Sequence, residues 1–199
     1  MWDGQIKVIT GIRRAGKSTL LFDLFYNYLI DNGIYKENII TLQLDKRKDA
    51  KYRNPIVLAE FVEKQIRMHT EKFYLFIDEI QFCYSVPDPD NAGFVITIYD
   101  MLNELKDYKN LDVYVTGSNS KMLSKDISTE FRGRSSQIHV YPLSFAEYND
   151  AVGGDKRDNF DRYMIYGGLP YILHLKTEEQ YKDYLLNLFS EVYIKDIVE

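Results

Sequence analysis

"GIRRAGKSTLL", residues 11–21, decides how this chain is read. Gly11-Ile12-Arg13-Arg14-Ala15-Gly16-Lys17-Ser18 fits G-x-x-x-x-G-K-[ST] at every position, the pattern of a loop whose backbone N–H groups turn inward around a phosphate. Gly16 permits close approach, Lys17 has the reach for terminal phosphates, and Ser18, followed by Thr19, offers a hydroxyl to Mg²⁺ at the positive end of a helix. The flanks supply the context this motif requires. "IKVIT" (6–10) reads as a buried strand, and Leu20, Leu21, Leu24, Phe25, Tyr28 and Leu29 recur at helical spacing until Asn32-Gly33 stops them. Gly11, Arg13, Arg14, Ala15, Gly16, Lys17, Ser18 and Thr19 are therefore the candidate nucleotide-binding residues.

Working outward, "NIITLQL" (38–44) reads as a second strand, and Asn54-Pro55 as a helix start for the stripe Leu58, Phe61, Val62, Ile66. "FYLFIDEI" (73–80) is an apolar run ending in two acids, the pattern of a strand buried on both faces. A loop rich in Pro, Asp and Asn precedes a helix marked by Val95, Ile98, Tyr99, Leu102 and Leu105; "LDVYVTGS" (111–118) and "QIHVYPL" (137–143) are the fourth and fifth strands. Alternating strands and helices imply an α/β fold with a mostly parallel five-stranded sheet flanked by helices. After Gly153-Gly154 the chain reads as helical, through Phe160, Tyr163 and Met164 to Gly167-Gly168 and then along Tyr181, Tyr184, Leu185, Leu188, Phe189, Val192 and Tyr193. The expected division is a phosphate-loop core over residues 1–152 and a small helical lid over 153–199. The closing stripe meets no stop signal before Glu199, so the lid is expected to be truncated and a further carboxy-terminal domain is expected to follow.

With 199 residues, 45% hydrophobic and 28% charged, the chain can bury a substantial core. No apolar run reaches the roughly 20 residues of a membrane span, and no secretory leader opens the chain, so a cytoplasmic location is expected. Cys83 is the single cysteine and the three histidines are scattered, which leaves no metal site made of protein ligands alone. A net charge of −5 argues against a broad nucleic-acid footprint. "KRKDAKYR" (46–53) is read as a solvated loop, with DNA or an acidic partner as the alternative.

A phosphate loop binds; hydrolysis needs an acid to act on water. Asp78, at the end of the apolar run, is placed to secure Mg²⁺, and Glu79 to polarise the attacking water. "VYVTGSNS" sets Thr116, Ser118 and Asn119 at the carboxyl end of another strand, the edge where open α/β sheets bind ligands. Asn119 either contacts the γ-phosphate or water, or caps the next helix. In "EFRGRSS", Arg132 or Arg134 either stabilises transition-state charge, from its own or a neighbouring subunit, or is an ordinary solvated charge.

The order of phosphate loop, "FIDEI", "TGSN", "FRGR", "YPLSFAEY" and "YGGLPYIL" resembles the AAA+-like P-loop ATPases of the archaeal and bacterial group that usually carries a carboxy-terminal domain of unknown function. The resemblance spans essentially the whole chain. It implies that Lys17 and Ser18 belong to Walker A, Asp78 and Glu79 to Walker B, that Asn119 is sensor-like, and that Arg132 or Arg134 is finger-like. Gly168-Leu169-Pro170 resembles the G-x-P element of signal-transducing ATPases with numerous domains, which implies that Pro170 approaches the nucleotide; the same residues are also good turn formers. The lid shows no clear sensor arginine, Arg157 and Arg162 being the available ones.

The guanine-reading N/T-K-x-D tetrapeptide is absent, and the adjacent Asp78-Glu79 pair favours water over another phosphoryl acceptor. The expected function is Mg²⁺-dependent ATP binding and hydrolysis that drives a conformational cycle in a larger protein. The alternative is an ATP/ADP-operated switch with little turnover.

Overall fold

The computed structural model describes residues 2–117, 131 and 133–190. Packing divides the chain into two units, residues 1–10 with 18–139, and residues 11–17 with 140–199.

Five parallel strands organise the first unit: β1 (Ile6–Thr10), β2 (Ile39–Gln43), β3 (Phe73–Asp78), β6 (Leu111–Thr116) and β7 (Ser135–His139), in the order β2-β3-β6-β1-β7. The expected five-stranded parallel sheet is thus present. Every residue of β1, β3 and β6 is buried, as strands covered on both faces must be, which is why they read as continuous apolar runs rather than alternating ones. The helix Pro55–Ile66 starts where Asn54-Pro55 predicts: the Asn54 side chain accepts from the N–H groups of Ile56 and Val57, and Leu58, Val62 and Ile66 point into the core.

Three expectations need correction. The fifth strand occupies 135–139, not 137–143, because β1 offers it pairing only from Ile6 to Thr10, and Val140 packs instead beside Gly11 in the second unit. The helix expected from Val95 begins at Ile98, where a Thr97–Asp100 capping box fixes its start; Val95–Ile96 instead form β5, which pairs antiparallel with β4 (Val86–Pro87). The helix after the phosphate loop is α-helical at Lys17–Thr19 and Tyr26–Asp31 but π-helical across Leu20–Phe25. The wider turn seats Phe25 4.9 Å from Tyr114 and 5.5 Å from Phe76, ring centre to ring centre, and leaves Leu24 and Tyr28 exposed.

The second unit is helical: Phe145–Val152, Lys156–Tyr166 and Glu178–Leu188, with a 3₁₀ turn at Pro170–His174. Each helix opens on a side-chain cap, Ser144 with Glu147, Asp155, and Thr177 with Gln180, chemistry that offsets the unpaired N–H groups of a first turn. Tyr148, Leu169, Ile172, Tyr184 and Leu188 form its core. Gly168 is demanded by space: a Cβ there would lie 2.1 Å from the Leu143 carbonyl oxygen. Among the described residues no helix is long and apolar enough to cross a membrane.

Candidate nucleotide site

In a parallel sheet all strand ends of one kind share one edge, and here the carboxyl edge gathers the polar residues. Thr10 of β1 runs into the loop, Asp78 closes β3, and Thr116 closes β6. Asp78 and Thr116 are buried, 5% and 0% exposed, so their polar atoms must find partners within the protein. They find each other. The Thr116 hydroxyl donates to Oδ1 of Asp78 and accepts from the backbone N–H of Glu79 at 3.1 Å. The Ser18 hydroxyl donates to the same Asp78 oxygen at 3.1 Å. Burial pushes the Asp78 carboxyl above its ordinary range, with the Glu79 and Asp45 carboxylates adding to the rise, while the bonds from Thr116 and Ser18 pull the other way.

Glu79 leaves β3 in the left-handed region, φ 57° and ψ 57°, a conformation that costs a non-glycine residue about 1 kcal/mol or more and is kept where the surroundings fix it. Thr116 and Gln81 help to hold it. Its N–H is bound by Thr116, and its carboxylate accepts from the Gln81 amide. Thr116 stands out in the sequence as a polar strand end; nothing marks Gln81 except its position two residues beyond Glu79.

The loop itself packs within the second unit. Lys17 is 5% exposed, and its amine donates to the carbonyls of Gly11 at 2.9 Å and Ile12 at 3.0 Å. Gly11 has φ 144°, and a Cβ on it would sit 2.2 Å from the Val140 carbonyl oxygen. Gly16, with φ 100°, faces Pro170, whose Cγ would lie 3.6 Å from a Cβ at that position. Pro170, singled out through the G-x-P resemblance, therefore lies against the loop. Arg14, at φ 64°, places its guanidinium 5.4 Å from the ring centre of Tyr184, within cation–π range. In the sequence Tyr184 is one residue of the closing helical stripe, and nothing there ties it to the loop. Ala15 is buried, while Arg13, Arg14 and Thr19 are exposed.

Gly11→Ala is expected to displace the loop, since both φ and the Val140 contact forbid a Cβ. A loss of roughly 1–3 kcal/mol in stability together with weakened nucleotide binding is the expected result. A variant that melts and binds like the parent would contradict this reading of the loop.

Arg134 precedes β7, and its carbonyl accepts from Ile6 at the start of β1. It therefore lies at the amino edge of the sheet, opposite the end of β1 at Thr10. Asn119 and Arg132 lie outside the described residues. Among the described residues no group of three His, Cys, Asp or Glu side chains could hold a metal ion.

A family model described as an AAA domain matches residues 3–149, the segment that contains the loop, Asp78-Glu79 and Thr116. The chain belongs to the AAA domain family. Its fold agrees with that of solved structures. The Walker-type ATPase PABY2304 of Pyrococcus abyssi superposes with a TM-score of 0.51 at 15% identity, over 84% of this AAA domain chain and 60% of that one. PCH-2 of C. elegans superposes with a TM-score of 0.52 at 10% identity, over 82% of this chain and 41% of that one. In sequence, an uncharacterized protein of Haemophilus influenzae is 32% identical over 198 residues, 96% of this chain and 46% of the relative. An uncharacterized protein of Methanocaldococcus jannaschii is 29% identical over 211 residues, 98% of this chain and 42% of the relative. The AAA domain chain spans less than half the length of these curated relatives.

Proposed function

We propose that this AAA domain binds ATP with Mg²⁺ and hydrolyses it, and that the cycle drives a conformational change in a larger protein. The observation that carries the reading is the bond between Ser18 and Asp78, which brings the hydroxyl of the phosphate-loop motif onto the carboxylate that ends β3. Both are hard oxygen donors, the kind Mg²⁺ takes. The raised Asp78 carboxyl belongs to a buried charge that a cation would relieve. The residues present thus fit the ion: Ser18 and Asp78 would hold it, and water and phosphate oxygens would complete its shell. Bound there, Mg²⁺ would neutralise charge on the β- and γ-phosphate oxygens.

The protein's own residues do the rest. Backbone N–H groups of 11–18 receive the phosphates, and Lys17 exchanges the Gly11 and Ile12 carbonyls for phosphate oxygens. Glu79 takes a proton from water as the water oxygen bonds to the γ-phosphorus and the bond to the β–γ bridging oxygen breaks, leaving ADP and phosphate. Arg134 lies on the opposite edge from Thr10, so any service to a nucleotide would come from a neighbouring copy. Asn119 and Arg132 keep their proposed sensor and finger roles, residues 1–152 and 153–199 their proposed roles as core and lid, and a cytoplasmic setting is part of the proposal.

Asp78→Asn tests the metal assignment. In the metal-free chain the folded carboxyl is raised, so its contribution to stability is greatest at low pH and declines as pH rises through the unfolded and then the folded value. A neutral amide removes that decline while its oxygen still accepts from Thr116 and Ser18. The variant is expected to melt no lower than the parent at neutral pH without Mg²⁺, and to lose the Mg²⁺-dependent part of ATP binding and turnover. Unaltered Mg²⁺ dependence would remove Asp78 from the site.

A second reading, a nucleotide-operated switch with little turnover, draws on the Arg14–Tyr184 and Gly16–Pro170 contacts. Through these the helical segments touch the loop that receives phosphate, so occupancy alone would be transmitted.

A further inference from the structure

Gln81 sits on the 3₁₀ turn Ile80–Phe82 directly after Glu79. Ile80 is fully buried and anchors the turn, whose first bond runs from the Phe82 N–H to the Glu79 carbonyl at 3.0 Å. From this platform the Gln81 Nε2 donates to Oε2 of Glu79. The contact fixes the amide orientation, since the reverse would set a carbonyl oxygen against a carboxylate oxygen. The Gln81 Oε1 is buried and has no hydrogen-bond partner among the described residues. An amide kept only to stabilise the fold would satisfy its acceptor as well as its donor. Here the donor is used and the acceptor finds no partner among the described residues, so the feature to be explained is the hold on Glu79.

A glutamate side chain turns about three bonds, and a general base works only when its oxygen lies within hydrogen-bond reach of the water it deprotonates. Misplacement by about 1 Å costs as much as 10²-fold in rate. Glu79 is held at its backbone by Thr116 and at its carboxylate by Gln81. A carboxylate accepts several hydrogen bonds, so one from Gln81 leaves it able to receive a proton from water. We propose that Gln81 is a positioning residue that aims the Glu79 carboxylate at the attacking water. The inference rests on the reading of Glu79 as the base. In this role Gln81 acts through Glu79, the one group it is proposed to aim.

The test is a double-mutant cycle with Gln81→Met, which keeps the length of the side chain and removes the donor along with the unsatisfied acceptor. Single-turnover ATP hydrolysis, ATP affinity and melting are measured for the parent, Gln81→Met, Glu79→Gln and the double variant. The expected result is a rate about tenfold lower for Gln81→Met, with affinity within about twofold and melting no lower than the parent. In the Glu79→Gln background the same change should cost nothing further, because the group it aims is gone. A Gln81→Met rate equal to the parent's, or a loss just as large in the Glu79→Gln background, overturns the proposal. If the parent hydrolyses ATP and Glu79→Gln does so equally fast, it is the reading of Glu79 that fails, and the aim of Gln81 with it.

Discussion

Glu79→Gln should lower ATP turnover by roughly 10²–10⁴-fold, the range attributed to a positioned general base, while ATP stays bound. Glutamine copies the shape of glutamate and cannot take up a proton. The backbone bond from position 79 to Thr116 does not involve the side chain, so the left-handed turn and the placement of Asp78 are retained. The amide oxygen can still accept from Gln81. Steady-state phosphate release, with nucleotide binding measured in parallel on both proteins, reads the result. Turnover lost with binding kept supports water activation by Glu79. Tight binding with no turnover in either protein favours the switch reading. Failure of a folded parent to bind any nucleotide would falsify the phosphate-loop assignment of residues 11–18.

The second large effect lies at the other edge of the sheet. Lys7 and Asp112, 4% and 3% exposed, pair at 2.6 Å between β1 and β6. The remaining Asp112 oxygen accepts from the Tyr114 hydroxyl at 3.0 Å and from the Trp2 N–H at 3.3 Å. Burial, then the Asp112 charge, push the Tyr114 hydroxyl well above the ordinary tyrosine range, so it stays a donor. Asp112→Ala takes from the Lys7 ammonium its buried partner, leaving it the half-exposed Asp3, and takes from the buried Tyr114 phenol its acceptor. Breaking a buried pair from one side costs about 3–5 kcal/mol, a large share of the roughly 5–15 kcal/mol that holds a domain folded. Asp3 also meets Lys7 at 2.6 Å, but its side chain is 48% exposed, so Asp3→Ala should cost no more than about 1 kcal/mol. Urea unfolding of the two variants tests the contrast. A loss below about 1 kcal/mol for Asp112→Ala would show that Lys7 finds water or another acceptor.

What the sequence discloses follows from what each element demands of it. Strands buried on both faces have no choice but continuous apolar runs, so β1, β3 and β6 are visible as such, and Asn54-Pro55 announces its helix because cap and first-turn chemistry are local. The short β4–β5 pair is hidden. Two residues a side are too few for any period, and Val95-Ile96 fall into a helical stripe by coincidence. The π-helical stretch Leu20–Phe25 is hidden too, since it goes with the place Phe25 takes against Phe76 and Tyr114, residues about 50 and 90 positions along the chain. At the candidate site, Gly11, Lys17, Ser18 and Asp78-Glu79 are legible because phosphate chemistry restricts residue type and spacing together. Gln81 and Tyr184 are not, because each matters through a partner that the fold supplies.

The packing of Gly11–Lys17 with residues 140–190 has a consequence for anyone recombining this chain. The natural module is discontinuous. A chimera that exchanges the helical segments for those of a relative at a single junction would separate Gly11 from Val140, Arg14 from Tyr184 and Gly16 from Pro170, contacts that belong to one unit. The transplantable piece is the seven-residue loop together with the helices, moved as a matched set, with the strands left as the recipient scaffold.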